Sequence, residues 1–168
     1  MRKATLTSLA VCAAVLLGAS AHAQQPATPA SPPPPMMYGP GLTLELAKKA
    51  VAAAEAEAKK NGSYMAITVV TIGGYLVHAS TLDGTQFASI KISQHKARAS
   101  ATFRRPTKVF QDGLAAGNMF LLTLDDVIAS EGGVPLVVDG KIIGAIGCSG
   151  GTGAQDGQTC IAGANALK

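Results

Sequence analysis

The stretch "VPLVVDGKIIGAIGCSGGTGAQDGQTC", residues 134–160, decides the fold. Two apolar runs, residues 134–138 and 142–148, flank the dipeptide Asp139-Gly140, which is a strong signal for a two-residue hairpin turn. The second run leads through a glycine-rich segment into a helix that we expect over about residues 155–167. Strands joined by a tight turn are antiparallel, so the stretch predicts an antiparallel hairpin followed directly by a helix.

The glycine-rich segment, residues 147–160, does not fit a nucleotide-binding loop. It lacks the lysine of the G-x-x-x-x-G-K-[ST] pattern, and Asp156 stands at the third glycine of a dinucleotide fingerprint. The segment therefore predicts a tight strand-to-helix turn. Thr152 and Gln155 have the spacing of a capping box, which favours a self-capped helix over an anion site at the same N-terminus.

The residues before this stretch predict further helices and another hairpin. A helix begins after Thr43, and its apolar side chains recur at steps of three and four: Leu44, Ala47, Val51, Ala54 and Ala58. Two β-rich runs flank Gly73-Gly74, which indicates a hairpin. A second helix is expected over residues 86–103, a short helix over 109–115, and short strands at 119–122 and 127–129. The order predicts an α+β fold: a single domain with a central antiparallel sheet and helices packed against it.

The second helix carries two stripes of different character. We expect the apolar stripe to face the core; it comprises Phe87, Ile90, Gln94, Ala97 and Ala101. The other stripe is basic and contains Lys91, His95, Arg98, Thr102 and Arg105. A basic stripe with one imidazole suits a ligand that carries carboxylates and a Lewis-acid metal. A solvated helix face is the alternative.

The N-terminal region divides into two segments before the domain at residues 42–168. Residues 1–23 have a basic start, an apolar run and an Ala-His-Ala cleavage site, which predicts a signal peptide rather than a membrane anchor. Residues 24–41 are Pro-rich and predict a flexible leader. We therefore expect a periplasmic or secreted protein with no membrane span after cleavage. Without Arg2 and Lys3 the net charge falls from +4 to +2, and nucleic acid is not an expected partner.

Two cysteines, Cys148 and Cys160, remain after cleavage at this site. In an oxidising compartment paired cysteines usually form a bridge, so a structural disulfide is favoured over two free buried thiols. No nucleophile–base motif and no convincing pair of carboxylates is present, so we assign no catalytic residue and leave enzymatic activity open.

Two segments together resemble the GlcG/HbpS-like haem-binding family. The first is "QHKARASATFRRPT", residues 94–107, and the second is "EGGVPLVVDGKIIGAIGCSGGTGAQDGQTCIAGANAL", residues 131–167. The resemblance implies an α+β fold, assembly into homo-oligomers that include octamers, and haem as the cofactor. Its members are linked to haem binding, and some to haem degradation or redox sensing.

The resemblance and the chemistry together predict a haem site between the second helix and the glycine-rich loop. Lys96, Ser149 and Asp156 match the motifs and are expected to face the site, whereas the role of His95 as an axial metal ligand rests on chemistry alone. Arginines of the same helix would pair with the propionates. The full set of expected ligand-binding residues is His95, Lys96, Arg98, Arg104, Arg105, Ser149 and Asp156.

These features predict an exported haem-binding protein in haem uptake, sensing or degradation. An enzyme or an accessory binding module that acts on a small organic acid or a corrinoid is the alternative. The ligand is accordingly haem or another small carboxylate-bearing molecule.

Overall fold

A computed structural model describes residues 36–168. The predicted signal peptide and most of the predicted leader, residues 24–35, lie outside the described residues. The elements are α1 (Leu44–Lys60), β1 (Ala66–Thr71), β2 (Leu76–Thr81), α2 (Phe87–Phe103), α3 (Lys108–Ala115), a 3₁₀ helix (Met119–Thr123), β3 (Gly133–Val138), β4 (Lys141–Ser149) and α4 (Gly153–Asn165).

The four strands form one antiparallel sheet in the order β2-β1-β4-β3. Both predicted hairpins are present, and β1 pairs with β4 at its centre, where Thr68 lies opposite Gly147. Asp139 and Gly140 have φ values of 51° and 71°, as the tight turn between β3 and β4 requires. The structure therefore confirms the predicted α+β fold.

Helices cover both faces of the sheet. On one face α1 and α4 pack on strand residues such as Ile67, Val69 and Ile146, and together they form the main hydrophobic core. Successive strand residues point to opposite faces, so Thr68 and Val70 lie on the other side, against α2. There the Thr68 hydroxyl is hydrogen-bonded to that of Ser93, at 2.9 Å.

The face that α2 buries matches the predicted stripe only in part, at Ala97 and Ala101. Phe87 is 91% exposed and Ile90 is exposed, whereas the buried side chains are Ser89, Ser93, Lys96, Ala97, Ala99, Ser100 and Ala101. The cause is the closeness of the helix to the sheet: a Cβ at Gly147 would overlap the carbonyl oxygen of Ser93. Only small side chains and one lysine lie in this narrow layer, so the large apolar residues lie at the helix surface.

The two short strands predicted after α3 are wrong. Residues 119–123 form a 3₁₀ helix, and no strand forms at 127–129. Met119, Phe120 and Leu122 are exposed. Their apolar run does not alternate and pairs with no strand, so it folds through local hydrogen bonds.

Residues 36–41, at the end of the predicted leader, pack on the domain. The amide of Gly39 donates to Ile142 O at 2.8 Å, and the amide of Ile142 donates to Met37 O at 3.0 Å. The Tyr38 hydroxyl donates to Ala101 O on α2, at 3.0 Å. Over residues 36–168, no helix combines the length and apolar character that crossing a membrane demands.

Candidate functional site

Lys96 and Asp156, two of the predicted ligand-binding residues, form a buried ion pair. Lys96 lies on the sheet-facing side of α2 and Asp156 in the first turn of α4, and their Nζ and Oδ2 atoms are 2.7 Å apart. The side chains are 1% and 4% exposed. The other carboxylate oxygen accepts a hydrogen bond from the amide of Gly151, at 2.9 Å. The pair therefore joins α2, the glycine-rich loop and α4.

Burial raises the pKa of the Asp156 carboxyl, because the charged form loses its contact with water. The ammonium of Lys96 and the amides of Gly151 and Gly150 act in the opposite direction, and burial has the larger effect. The fold therefore keeps the ion pair in a buried environment, where removing charged side chains from water costs free energy.

The surroundings of the pair leave little free space. A Cβ at Gly132 would lie 2.7 Å from the Asp156 Cβ and 3.0 Å from the Lys96 Nζ, so only glycine fits there. Ser149 is also buried, and its hydroxyl donates to Ser89 Oγ at 3.3 Å. At this junction, where a haem pocket was predicted, the polar groups bind one another.

The start of α4 is fixed by further local contacts. The Gln155 amide donates to Thr152 Oγ1 and the Thr152 amide to Gln155 Oε1, so the predicted capping box is confirmed. Cys148 at the end of β4 is disulfide-bonded to Cys160 of α4, with the Cα atoms 5.7 Å apart, which confirms the favoured pairing. Cys160 follows Asp156 by about one helical turn, so disulfide and ion pair hold the same face of α4.

The exposed side of α2 borders a cleft of about 300 Å³. Its lining consists of Lys91, Gln94, His95, Arg98 and Asp126. The ring nitrogen Nε2 of His95 is buried and has no hydrogen-bond partner in residues 36–168. An unsatisfied buried polar atom is uncommon in folded proteins, and a bound water, ion or ligand is one explanation for it. We call this the His95 cleft.

Arg98 is held at the His95 cleft by the turn between β1 and β2. Gly74 has a φ of +82°, and a Cβ at this position would lie 2.7 Å from the Arg98 Cγ. The alkyl part of Arg98 therefore packs directly on the backbone of the turn. Its Nη1 lies 3.5 Å from Oδ1 of Asp126, and both side chains are about half exposed.

Arg104 and Arg105 lie apart from the His95 cleft. Arg104 ends α2 with a φ of 56°, and its guanidinium lies 5.4 Å from the ring centre of Tyr38. Arg105 is exposed, and its Nε donates to Phe103 O. At 1.5 Å per residue, about 12 Å of helix separates His95 from Phe103, where α2 ends before both arginines.

The structure thus divides the predicted ligand-binding residues into three groups. It brings His95 together with Arg98, and Lys96 with Asp156 near Ser149, and it leaves the last two arginines at the end of α2. Asp126 joins the His95 cleft although no sequence pattern predicts it, because its contact with Arg98 spans 28 residues and a loop.

The donor set of the His95 cleft limits what it could bind. In the described part of the chain, no cluster of three His, Cys, Asp or Glu side chains could hold a bare metal ion. A metal bound at His95 would therefore take its other ligands from the molecule that carries it. Another cleft, of about 540 Å³ between α1 and the end of β2, is lined by Glu55, Lys59, Tyr64 and Asp83 among others. None of its lining residues within the described part of the chain is a histidine.

Comparison with known proteins gives a consistent family. The family described as "Haem degrading protein HbpS-like" matches residues 42–165. Protein GlcG of Escherichia coli K12 is 42% identical over 108 residues, which is 64% of this chain and 81% of GlcG.

Solved structures of this fold agree with the family match. The ORFY protein of Klebsiella pneumoniae has a TM-score of 0.72 at 25% identity, and the match covers 78% of this chain and 93% of the ORFY chain. A double mutant of Streptomyces reticuli HbpS has a TM-score of 0.71 at 28% identity, and the match covers 79% of this chain and 91% of the HbpS chain. The chain therefore belongs to the HbpS-like family of haem-degrading proteins.

Proposed function

We propose that this protein is exported and binds haem at the His95 cleft. The observation that carries the proposal is the buried, unpartnered Nε2 of His95 in a cleft whose rim holds two cations, Lys91 and Arg98. Rotation of the ring toward the cleft would give this nitrogen a partner, and an imidazole nitrogen is a common ligand of haem iron. Family membership supports haem as the group bound.

The residues of the His95 cleft fit the polar edge of a haem. Guanidinium groups form strong paired hydrogen bonds with carboxylates, so Arg98 would bind one propionate and Lys91 would attract the other. Bound haem would supply a redox-active iron. The cleft volume of about 300 Å³ is at the lower limit for a small-molecule site, so one protomer would cover only part of the haem.

A titration with hemin tests this proposal. We expect the purified protein to give a saturable Soret shift, and His95→Ala to weaken binding at least tenfold because the axial ligand is lost. His78→Ala is the matched control, because His78 lies on β2 and is not part of the cleft lining. No Soret shift in the unmodified protein would overturn haem binding. An unchanged Soret shift in His95→Ala would overturn the role of His95 as the iron ligand.

The small volume of the His95 cleft favours one alternative, a small organic acid as the ligand. Two cations, an amide and an imidazole could bind a dicarboxylate without any haem. Calorimetry with small dicarboxylates separates the two functions: micromolar binding of such an acid together with no hemin binding would favour this alternative.

We further propose that the protein forms homo-oligomers. Phe87 is 91% exposed on α2, and β2 is an edge strand whose first residue, Leu76, is exposed together with the preceding Tyr75. Exposed apolar side chains beside a free strand edge are typical of contact surfaces. We expect Phe87→Glu to lower the mass measured by light scattering, whereas Thr102→Glu, at an exposed position near the other end of the same helix, would not. An unchanged mass in Phe87→Glu would contradict this surface.

The disulfide supports export, since such bonds persist mainly in oxidising compartments. Fractionation of cells that express the whole chain would test it. We expect the shortened, oxidised protein outside the cytoplasm; full-length, reduced protein in the cytoplasm would contradict export.

A further inference from the structure

Among the described residues, 36–168, Asp126 is the one acidic side chain in the lining of the His95 cleft. The other four lining residues are Lys91, Gln94, His95 and Arg98, which can all donate hydrogen bonds or carry positive charge. The carboxylate of Asp126 lies 3.5 Å from the Arg98 guanidinium. This is the position that a ligand carboxylate would take.

Both partners of this contact are held in place by the backbone. The stem of Arg98 packs on the turn at Gly74, which places its guanidinium at the cleft. Asp126 has a φ of 62°, a conformation that aspartate and asparagine adopt more readily than most residues. The loop thus presents its carboxylate to Arg98 at the cleft.

We propose that Asp126 is a built-in competitor of the ligand carboxylate and sets the anion affinity of the His95 cleft. A carboxylate-bearing ligand must displace Asp126 from Arg98 or share the guanidinium with it, and the charge of Asp126 repels the ligand in either case. The inference rests on the proposed function of the cleft. Beyond that function, it assigns Asp126 as a partner that contacts Arg98 before any ligand binds.

The size of the effect follows from the exposure of the pair. Ion pairs that are half exposed contribute little free energy, so loss of this one should change ligand affinity by only about two- to fivefold. The sign of the change in affinity tests the proposal, because removing an acidic residue from the cleft should tighten ligand binding.

The test compares Asp126→Asn with Asp125→Asn in a hemin titration. Asparagine tolerates the same backbone conformation, and Asp125 is an exposed neighbour outside the cleft lining, so both variants lose one charge at nearly the same place. We expect Asp126→Asn to bind hemin about two- to fivefold more tightly and Asp125→Asn to bind as the unmodified protein does. Equal affinity in all three, or equal gains in both variants, would overturn the proposal.

Arg98→Gln separates direct competition from a general change in charge. If Asp126 acts mainly through Arg98, the Asp126→Asn change should have a clearly smaller effect in an Arg98→Gln background, where only direct repulsion of the ligand remains. A gain of the same size in that background would overturn the proposal.

A second probe makes the inference independent of haem. Succinate, followed by the NMR signal of the Arg98 Nε–H group, should bind Asp126→Asn more tightly than the unmodified protein. If hemin binds to no variant, the proposed function fails and succinate decides the role of Asp126. Equal succinate affinity of Asp126→Asn and the unmodified protein, or no succinate binding to either, would overturn the proposed role of Asp126.

Discussion

Lys96→Met is expected to lower the free energy of unfolding by roughly 3–5 kcal/mol at neutral pH. The substitution removes the ammonium 2.7 Å from Asp156 and leaves a carboxylate that is 4% exposed without a cationic partner. Methionine keeps most of the side-chain volume, so the loss reports on charge and not on a cavity. Urea unfolding followed by circular dichroism measures it, and a variant as stable as the unmodified protein would contradict the buried pair.

Lys96→Met combined with Asp156→Asn is the control. Asparagine retains an oxygen that can accept from the Gly151 amide but carries no charge. Replacing both charges of a buried pair is far less costly than removing one, so the double variant should recover most of the lost stability. Should Lys96→Met fail to fold, recovery in the double variant still decides the question; a double variant as unstable as the single one would contradict the explanation.

The stability of the single variant Lys96→Met is predicted to depend on pH. Burial already raises the pKa of Asp156, and loss of Lys96 removes the largest opposing influence, so the pKa rises further. A folded-state pKa above the unfolded value favours folding at low pH, and this advantage is lost as pH rises through the folded-state pKa. The stability deficit of Lys96→Met should therefore be smaller at pH 5 than at pH 7.5.

Removal of the disulfide is expected to lower the free energy of unfolding by about 3 kcal/mol. The bond closes a loop between residues 12 apart in sequence, and in the chain-entropy model its loss frees the unfolded chain by about this amount. The variant with both Cys148→Ala and Cys160→Ala should show the loss in urea unfolding. Reductant should destabilise the unmodified protein to a similar degree and leave the double variant unchanged. A loss below about 1 kcal/mol would contradict the stabilising role.

Local chemistry made much of the fold predictable. The turn at Asp139-Gly140 and the cap at Thr152 depend on residues close in sequence, and both form as expected. The stripe on α2 was predicted correctly at Ala97 and Ala101 and wrongly at Phe87 and Ile90, because periodicity shows that a helix has two sides but not how near the sheet lies. Gly147 lets α2 approach the sheet closely at Ser93 and Ala97, where only small side chains fit.

The candidate site was less predictable because its contacts join distant residues. Lys96 and Asp156 are 60 positions apart and meet only when α2 and α4 approach the end of β4. His95 and Lys96 are adjacent, yet a helix turns by about 100° per residue, so one lines the cleft and the other is buried. The family motif indicated Lys96, and the chemistry of an imidazole on a basic stripe indicated His95, but neither signal distinguished the two sides of the helix.

A crystal structure of the protein grown with hemin tests the central claim most directly. We predict haem at the His95 cleft, with the iron bound to His95 Nε2 and the propionates at Arg98 and Lys91. Haem bound at the cleft formed by Glu55, Tyr64 and Asp83, or crystals from saturating hemin that contain no haem, would contradict the account.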